Sequence, residues 1–100
     1  MQNMYNETLK SRGIVVGDLV YHLLYGKDWR GILMGTEMQE KGLATPCERA
    51  LVYMMPGTRY DRFFKTNYLT RSRISDSLGY VSSKWIHKLE FNAKKRNRTR

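Results

Sequence analysis

Basic and aromatic side chains are interspersed through the segment 56–77, where the only acidic residues are Asp61 and Asp76. Cationic side chains neutralise phosphates or carboxylates, and aromatic rings offer stacking faces or interface anchors. Most of these cations are arginines, whose planar guanidinium group suits bidentate contacts at an interface. The segment is therefore predicted to bind an anionic partner through Arg59, Tyr60, Arg62, Phe63, Phe64, Lys65, Tyr68, Arg71 and Arg73.

A second interpretation of the same segment stays open. In this interpretation Phe63 and Phe64 close one end of the hydrophobic core, and the charged side chains are only solvated. It has physical weight because a chain of 100 residues needs most of its apolar surface for folding.

The last eight residues form another cluster of positive charge. Five of them are basic and none is acidic: Lys94, Lys95, Arg96, Arg98 and Arg100. Like charges repel each other, and the segment has too few apolar side chains to fold by burial. We predict a basic tail at 93–100 that binds nucleic acid or an acidic protein surface, the alternative being a tail that only adds solubility.

The rest of the chain is modestly basic. The protein has 18 basic and 9 acidic residues, which gives a formal net charge of +9. Without the five basic residues of the tail, residues 1–92 keep thirteen basic against nine acidic residues, or +4. This asymmetry favours an anionic partner over a protein that is merely basic and soluble.

No arrangement of residues in the sequence indicates catalysis. His22 and His87, the two histidines, lie on separate predicted strands, and the carboxylates are scattered. Cys47 is the single cysteine, so there is no internal disulfide and a metal site would lack thiolate ligands. Neither a glycine-rich phosphate loop nor a nucleophile motif is present. We therefore expect no enzyme, cofactor, metal or small-molecule substrate.

No apolar run approaches the roughly 20 residues that cross a bilayer, so no membrane partner is expected.

Short runs of strand-forming residues, separated by glycine and proline turns, predict a mainly β fold. Strands are predicted at 19–25, 29–36, 49–55, 78–82 and 87–91, with one serine-capped helical turn at 82–86. Gly31, inside the second strand, indicates a bulge or a close approach of two backbones. The residues predicted to share one core are Val20, Ile32, Val52 and Val81.

About five short strands with a single helical turn before the last one are typical of a small SH3-like barrel. The predicted organisation is an N-terminal arm at 1–13, a barrel at 14–92 with an insertion at 56–77, and the basic tail. The segments 17–20 (GDLV), 31–34 (GILM), 50–53 (ALVY) and 78–90 (LGYVSSKWIHKLE) resemble the small SH3-like proteins that tailed bacteriophages, cyanophages among them, encode. The resemblance covers roughly residues 16–91 and implies the same barrel.

Two functions follow as expectations. The first is a non-enzymatic interaction module, a minor structural or assembly protein of a phage particle that docks through its arms, the basic and aromatic insertion and the basic tail. The alternative is a regulator that binds nucleic acid, or is associated with transcription, through the insertion and tail. The partner is accordingly an acidic protein surface in a larger assembly or a nucleic acid, and the location is the virion or the host cytoplasm.

Overall fold

Five antiparallel strands in one sheet are the main element of the described residues. The computed structural model describes residues 8–39, 46–67, 70–72 and 74–90. The strands are β1 (Leu19–His22), β2 (Gly26–Gln39), β3 (Cys47–Met54), β4 (Leu78–Ser82) and β5 (Ile86–Lys88), in the sheet order β4-β3-β2-β1-β5. Within these residues, helix is limited to α1 (Phe63–Thr66) and two short 3-10 helices, Lys10–Arg12 and Ser83–Trp85. The prediction of a mainly β fold is confirmed.

The long strand β2 joins the two ends of the sheet. Its first half pairs with β1, and its residues from Gly31 onward pair with β3, with an irregularity in register between Leu33 and Gly35. Gly31 lies where β2 pairs with β3, and a Cβ atom there would lie 2.5 Å from the carbonyl oxygen of Tyr53. The close backbone approach predicted at Gly31 is therefore confirmed, because no larger residue fits without moving β3.

The core lies on one face of the sheet and is closed by the segments around it. Val20, Val52 and Val81 are buried as predicted, with 0–9% of their surface exposed. The prediction for Ile32 is wrong by one residue: Ile32 is half-buried on the opposite face, and Leu33 is the buried neighbour. Side chains alternate between the two faces of a strand, so choosing the wrong one of two adjacent apolar residues inverts the assignment.

Residues 8–13 pack against the sheet instead of extending from it as an arm. The side chain of Leu9 is fully buried, and its backbone N–H donates to Oε1 of Glu48 at 2.9 Å. The guanidinium group of Arg12 donates to the backbone carbonyls of Ser83 and Ile86 at 2.7 and 3.0 Å. This part of the predicted arm therefore belongs to the folded unit, and residues 1–7 lie outside the described residues.

The strand ends differ from the prediction where turns follow. β1 ends at His22, and residues 23–25 form a turn that closes at Gly26 with a φ of 84°. The helical turn before β5 is present, but the Ser82 side chain makes no capping hydrogen bond, so the predicted serine cap is wrong. β5 covers residues 86–88 rather than 87–91, with Phe91 outside the described residues.

Candidate interaction surface

Two separate segments bring three partly exposed aromatic rings together at the surface. The turn after β1 contributes Tyr25, whose ring centroid lies 5.4 Å from that of Tyr60 and 5.4 Å from that of Phe63. Tyr25 is 41% exposed, and its neighbour Leu24 is 63% exposed. Tyr60 and Phe63 are half-buried. We call this surface the aromatic–basic patch; its residues are Leu24, Tyr25, Arg59, Tyr60, Arg62 and Phe63.

Local hydrogen bonds explain why residues 57–67 hold the rings in place. Gly57 has a φ of 90°, which glycine adopts without strain, and its N–H donates to Oδ2 of Asp61 at 3.2 Å. The N–H of Tyr60 donates to the hydroxyl of Thr58 at 3.2 Å. After α1, the Asn67 side-chain amide donates to the Phe63 carbonyl at 2.7 Å. The turn is thus fixed by its own side chains, which limits the entropy that a partner must remove on binding.

Beneath the patch lies a buried aromatic layer. Phe63 meets Trp29 and Phe64 edge to face, with ring centroids 5.5 and 5.3 Å apart. Trp29 and Phe64 are both fully buried, and the Phe64 ring fills the space over Gly79 where a side chain would otherwise lie. The prediction that Phe64 anchors a partner is therefore wrong for this residue, because its ring already belongs to the core. The alternative interpretation of the insertion holds for Phe64.

The cations around the patch are available to a partner. Arg59, Arg62 and Lys65 are exposed, and none of them forms an ion pair within the described residues. The Arg59 guanidinium carbon lies 5.2 Å from the centroid of the Tyr60 ring, a cation–π contact that sets the charge beside the ring. Asp61 is the one acidic residue between these three cations in the sequence. The surface is therefore aromatic at its centre and positive at its border.

Arg71 is another predicted binding residue that the structure describes, and it is not one of the patch residues. Arg71 is exposed and forms a β-bridge with Gly79 of β4, and its guanidinium group pairs with Asp76 at 3.2 Å, so its charge is already partly balanced. Tyr68 and Arg73 lie outside the described residues, as do the five cations of the tail, Lys94, Lys95, Arg96, Arg98 and Arg100.

His22 links the patch to the core and stays uncharged near neutral pH. Its ring contacts Tyr25 and Trp29 with centroids 4.6 and 5.1 Å apart, and it stacks on Trp85 at 5.7 Å. Burial lowers the pKa of His22 from 6.5 to about 4, because a charged imidazole loses its hydration there. Nδ1 accepts a hydrogen bond from the Leu24 N–H at 3.2 Å, which connects the histidine to the turn. His22 thus supports Leu24 and Tyr25 from below.

A cleft of about 430 Å³ lies next to the patch, and Phe63 borders both. Its aromatic walls also include His22, Tyr80 and Trp85. Cations already lie over two of these rings: Arg49 is 4.5 Å from the Tyr80 centroid and Lys84 is 5.2 Å from that of Trp85. The cleft is mostly apolar and extends the surface that a partner can contact around Phe63.

The sequence indicated half of the patch and missed the other half. Arg59, Tyr60, Arg62 and Phe63 were predicted, whereas residues 23–25 were assigned to a strand. A usable signal was present, because Leu24 and Tyr25 directly precede the turn glycine Gly26 and large apolar residues are costly to expose in a turn. The sequence does not show that this turn and the insertion lie close together, because Tyr25 and Tyr60 are 35 positions apart in the chain.

Comparison with known proteins adds no family assignment: no protein-family model, curated protein or solved structure matches this chain. Within the described ranges, no group of three or more histidine, cysteine, aspartate or glutamate side chains is placed to hold a metal ion. Among the same residues, no helix has the length and apolar character needed to cross a membrane.

Proposed function

We propose that this protein is a non-enzymatic interaction module that docks on an acidic protein surface through the aromatic–basic patch. The observation that carries the proposal is the meeting of Tyr25, Tyr60 and Phe63 at the surface. Arg59 lies over the Tyr60 ring, and Arg62, next to Phe63 in the chain, is exposed. Aromatic and arginine side chains are the residue types that contribute most to binding energy at protein interfaces. The buried layer of Trp29 and Phe64 keeps the rings in position before a partner arrives.

The larger assembly that we propose is a phage particle, in which this protein is a minor structural or assembly component. The sequence resemblance to small SH3-like phage proteins suggests this setting. The sheet order β4-β3-β2-β1-β5, with one long strand shared by both halves and a 3-10 helix before the last strand, supports an SH3-like barrel as the fold. A fold alone does not define a function, so the patch must be tested directly.

The test measures incorporation of the protein into particles. Quantitative mass spectrometry of purified particles would compare the wild-type chain with Tyr25→Ala and with the double variant Arg59→Glu/Arg62→Glu. A buried aromatic anchor contributes about 2 kcal/mol, or about 30-fold in affinity, so both variants should be strongly depleted from particles. The control is Lys10→Glu/Lys27→Glu, which makes the same charge change at exposed positions that belong neither to the patch nor to the cleft beside it and should be incorporated normally.

Two results would reject the proposal. One is a wild-type protein that is absent from purified particles, and the other is equal incorporation of the patch and control variants. Urea unfolding of each variant confirms that the fold is retained, which the exposure of Arg59 and Arg62 leads us to expect.

Nucleic-acid binding is the second proposed function. It is favoured by Arg59, Arg62 and Lys65, three exposed cations in the same short segment as partly exposed rings, because such surfaces stack bases and neutralise phosphates. Fluorescence anisotropy with a single-stranded oligonucleotide distinguishes it from protein docking. Under this proposal Arg59→Glu/Arg62→Glu weakens oligonucleotide binding, and the docking proposal expects no such effect at physiological salt.

A further inference from the structure

The cleft beside the aromatic–basic patch has a buried hydrogen-bond donor in its wall. His22 lines the cleft, and 5% of its surface is exposed, so the surrounding residues fix its imidazole ring. Nδ1 accepts a hydrogen bond from the Leu24 N–H at 3.2 Å, which leaves the proton of the neutral ring on Nε2. Burial lowers the pKa of His22 to about 4, so the ring is neutral near pH 7. The Nε2–H group is therefore a donor that has no acceptor among the described residues.

The cleft also has the mixture of ring surfaces and uncharged polar groups that a nucleobase needs. Phe63 and Tyr80 supply half-buried rings. Uncharged amide and hydroxyl side chains line the cleft with them, namely Gln39, Asn67, Thr70 and Ser82. The volume of about 430 Å³ lies within the range of roughly 300–1,000 Å³ that is typical of small-molecule sites.

The polar groups of the cleft offer both a donor and an acceptor to a ligand. The Asn67 amide nitrogen donates to the Phe63 carbonyl at 2.7 Å, which leaves its Oδ1 atom as an acceptor beside the His22 donor. The edge of a nucleobase carries several donor and acceptor atoms around a flat ring, whereas a phenylalanine has none and a tyrosine has one hydroxyl group. The lining thus favours a base over an aromatic side chain of a protein partner.

A cation for a phosphate group lies at the same cleft. The Nζ atom of Lys84 is 5.2 Å from the centroid of the Trp85 ring, which lines the cleft, and Lys84 is exposed and forms no ion pair within the described residues. Arg49 lines the cleft as well, but Glu37 already holds its guanidinium group at 3.1 Å. The carboxylate of Glu48, also in the lining, accepts a backbone N–H at 2.9 Å. Lys84, rather than Arg49, is therefore the side chain that a phosphate would contact.

We propose that the cleft binds a nucleotide, with the base against Phe63 and Tyr80 and the phosphate beside Lys84. The Nε2–H of His22 donates to a carbonyl oxygen or a ring nitrogen of the base. The nucleotide is either free or one unit of a single strand, since both present the same base and phosphate. In the first case the site is independent of the two functions proposed above. In the second case it rests on the nucleic-acid function and adds a base-binding site to the cations of the patch.

Isothermal titration calorimetry of the full chain with adenosine monophosphate, at pH 7 and about 0.15 M salt, tests the proposal. We expect a dissociation constant between roughly 10 µM and 1 mM, as is usual for a ligand of this size in an open cleft. His22→Phe keeps an aromatic ring and removes the donor, so it should weaken binding by about tenfold. Urea unfolding of the same variant confirms that it is folded.

A second pair of variants does not depend on the buried histidine. Lys84→Ala should weaken binding of adenosine monophosphate by about threefold to tenfold, because the phosphate loses its cation. Lys10→Ala is the matched control, since it removes one exposed lysine outside the cleft and should leave the affinity unchanged. Arg59→Glu/Arg62→Glu should change the affinity by less than about threefold. The patch functions and the cleft are thus tested by different variants, and one can fail without the other.

A single-stranded oligonucleotide of eight residues and the peptide Glu-Glu-Tyr-Glu-Glu identify the source of the ligand. Tighter binding of the oligonucleotide than of adenosine monophosphate, with the same losses in His22→Phe and Lys84→Ala, assigns the cleft to a strand, and equal or weaker binding assigns it to a free nucleotide. No binding of either nucleotide probe up to about 5 mM overturns the proposal, whether or not the peptide binds. Equal effects of Lys84→Ala and Lys10→Ala, or a folded His22→Phe that binds like the wild-type protein, also overturn it.

Discussion

His22 is a polar side chain whose environment gives a prediction about stability and pH. Only 5% of its surface is exposed, and three aromatic rings surround its imidazole. Burial lowers its pKa to about 4 in the folded protein, against an ordinary value of 6.5. The folded state therefore excludes the charged form that the unfolded state accepts readily.

We expect the contribution of His22 to stability to be fully present above pH 6.5 and to be lost as the pH falls through 4. The unfolded chain binds the proton first, and the total loss is at most about 3 kcal/mol. The measurement is the free energy of urea unfolding between pH 4 and 7, compared with His22→Phe. That variant keeps an aromatic ring without the titration. Toward low pH the wild-type protein should lose free energy of unfolding relative to His22→Phe. Two parallel curves of unfolding free energy against pH would contradict the prediction.

The exposure of single residues in the insertion could be predicted only in part from the sequence. Tyr60 and Phe63 could be recognised as members of a basic and aromatic segment, but the sequence does not say which of two adjacent phenylalanines faces inward. Phe64 is buried because Gly79, on a strand 15 residues away, leaves room for its ring. A residue's exposure thus depends on a partner that is distant in sequence, and composition alone cannot identify that partner.

Two of the glycines in β2, Gly31 and Gly35, lead to a prediction at the level of the strand. A Cβ atom at Gly31 would lie 2.5 Å from both the Tyr53 carbonyl oxygen and Cγ1 of Val52. A Cβ atom at Gly35 would have no heavy atom within 4 Å. Gly31→Ala must therefore push β3 away, at a cost of about 1–3 kcal/mol in the free energy of unfolding.

Gly35→Ala is the matched control, because it makes the same chemical change on the same strand in open space. We expect it to change the free energy of unfolding by less than about 1 kcal/mol. The sign of this change depends on the propensity of alanine, compared with glycine, for strand backbone. Thermal or urea unfolding of both variants measures the difference. Equal losses of stability in the two variants would show that strand propensity, and not the contact with β3, determines the cost.

Most strands could be predicted from the sequence because their apolar runs end at clear turn residues. β4 was located correctly at residues 78–82, and the turn at Pro56 and Gly57 ends β3 close to its predicted end. The predicted end of β1 was wrong because Leu23, Leu24 and Tyr25 have the same strand propensity as the residues before them. The inward face of β2 was wrong because Ile32, Leu33 and Met34 are all apolar, which removes the alternation that sets the register. The same uninterrupted run places apolar side chains on both faces of β2, with Leu33 buried and Ile32 half-buried on the opposite face.

At the scale of the whole molecule, positive charge is concentrated at one end of the chain. Five of the eighteen basic residues occupy residues 93–100, and deleting this tail lowers the formal net charge from +9 to +4. The aromatic–basic patch adds its own cations on the folded unit, so the tail and the patch contribute separately to any electrostatic attraction. Deleting the tail and substituting Arg59 and Arg62 therefore measure the electrostatic contributions of the tail and of the patch separately.

If nucleic acid is the partner, deleting residues 93–100 should weaken binding to every sequence by a similar factor. Each phosphate contact contributes about 0.7–0.9 to the slope of log affinity against log salt concentration, because a bound cation releases counterions. Loss of five contacts should lower the slope by roughly 3 to 5, and Arg59→Glu/Arg62→Glu should lower it further by about 2. The measurement is fluorescence anisotropy with two oligonucleotides of unrelated sequence over a series of salt concentrations. A slope that the deletion leaves unchanged would show that the tail does not contact phosphates. Binding that ignores salt in the intact chain would reject the electrostatic account of the nucleic-acid proposal altogether.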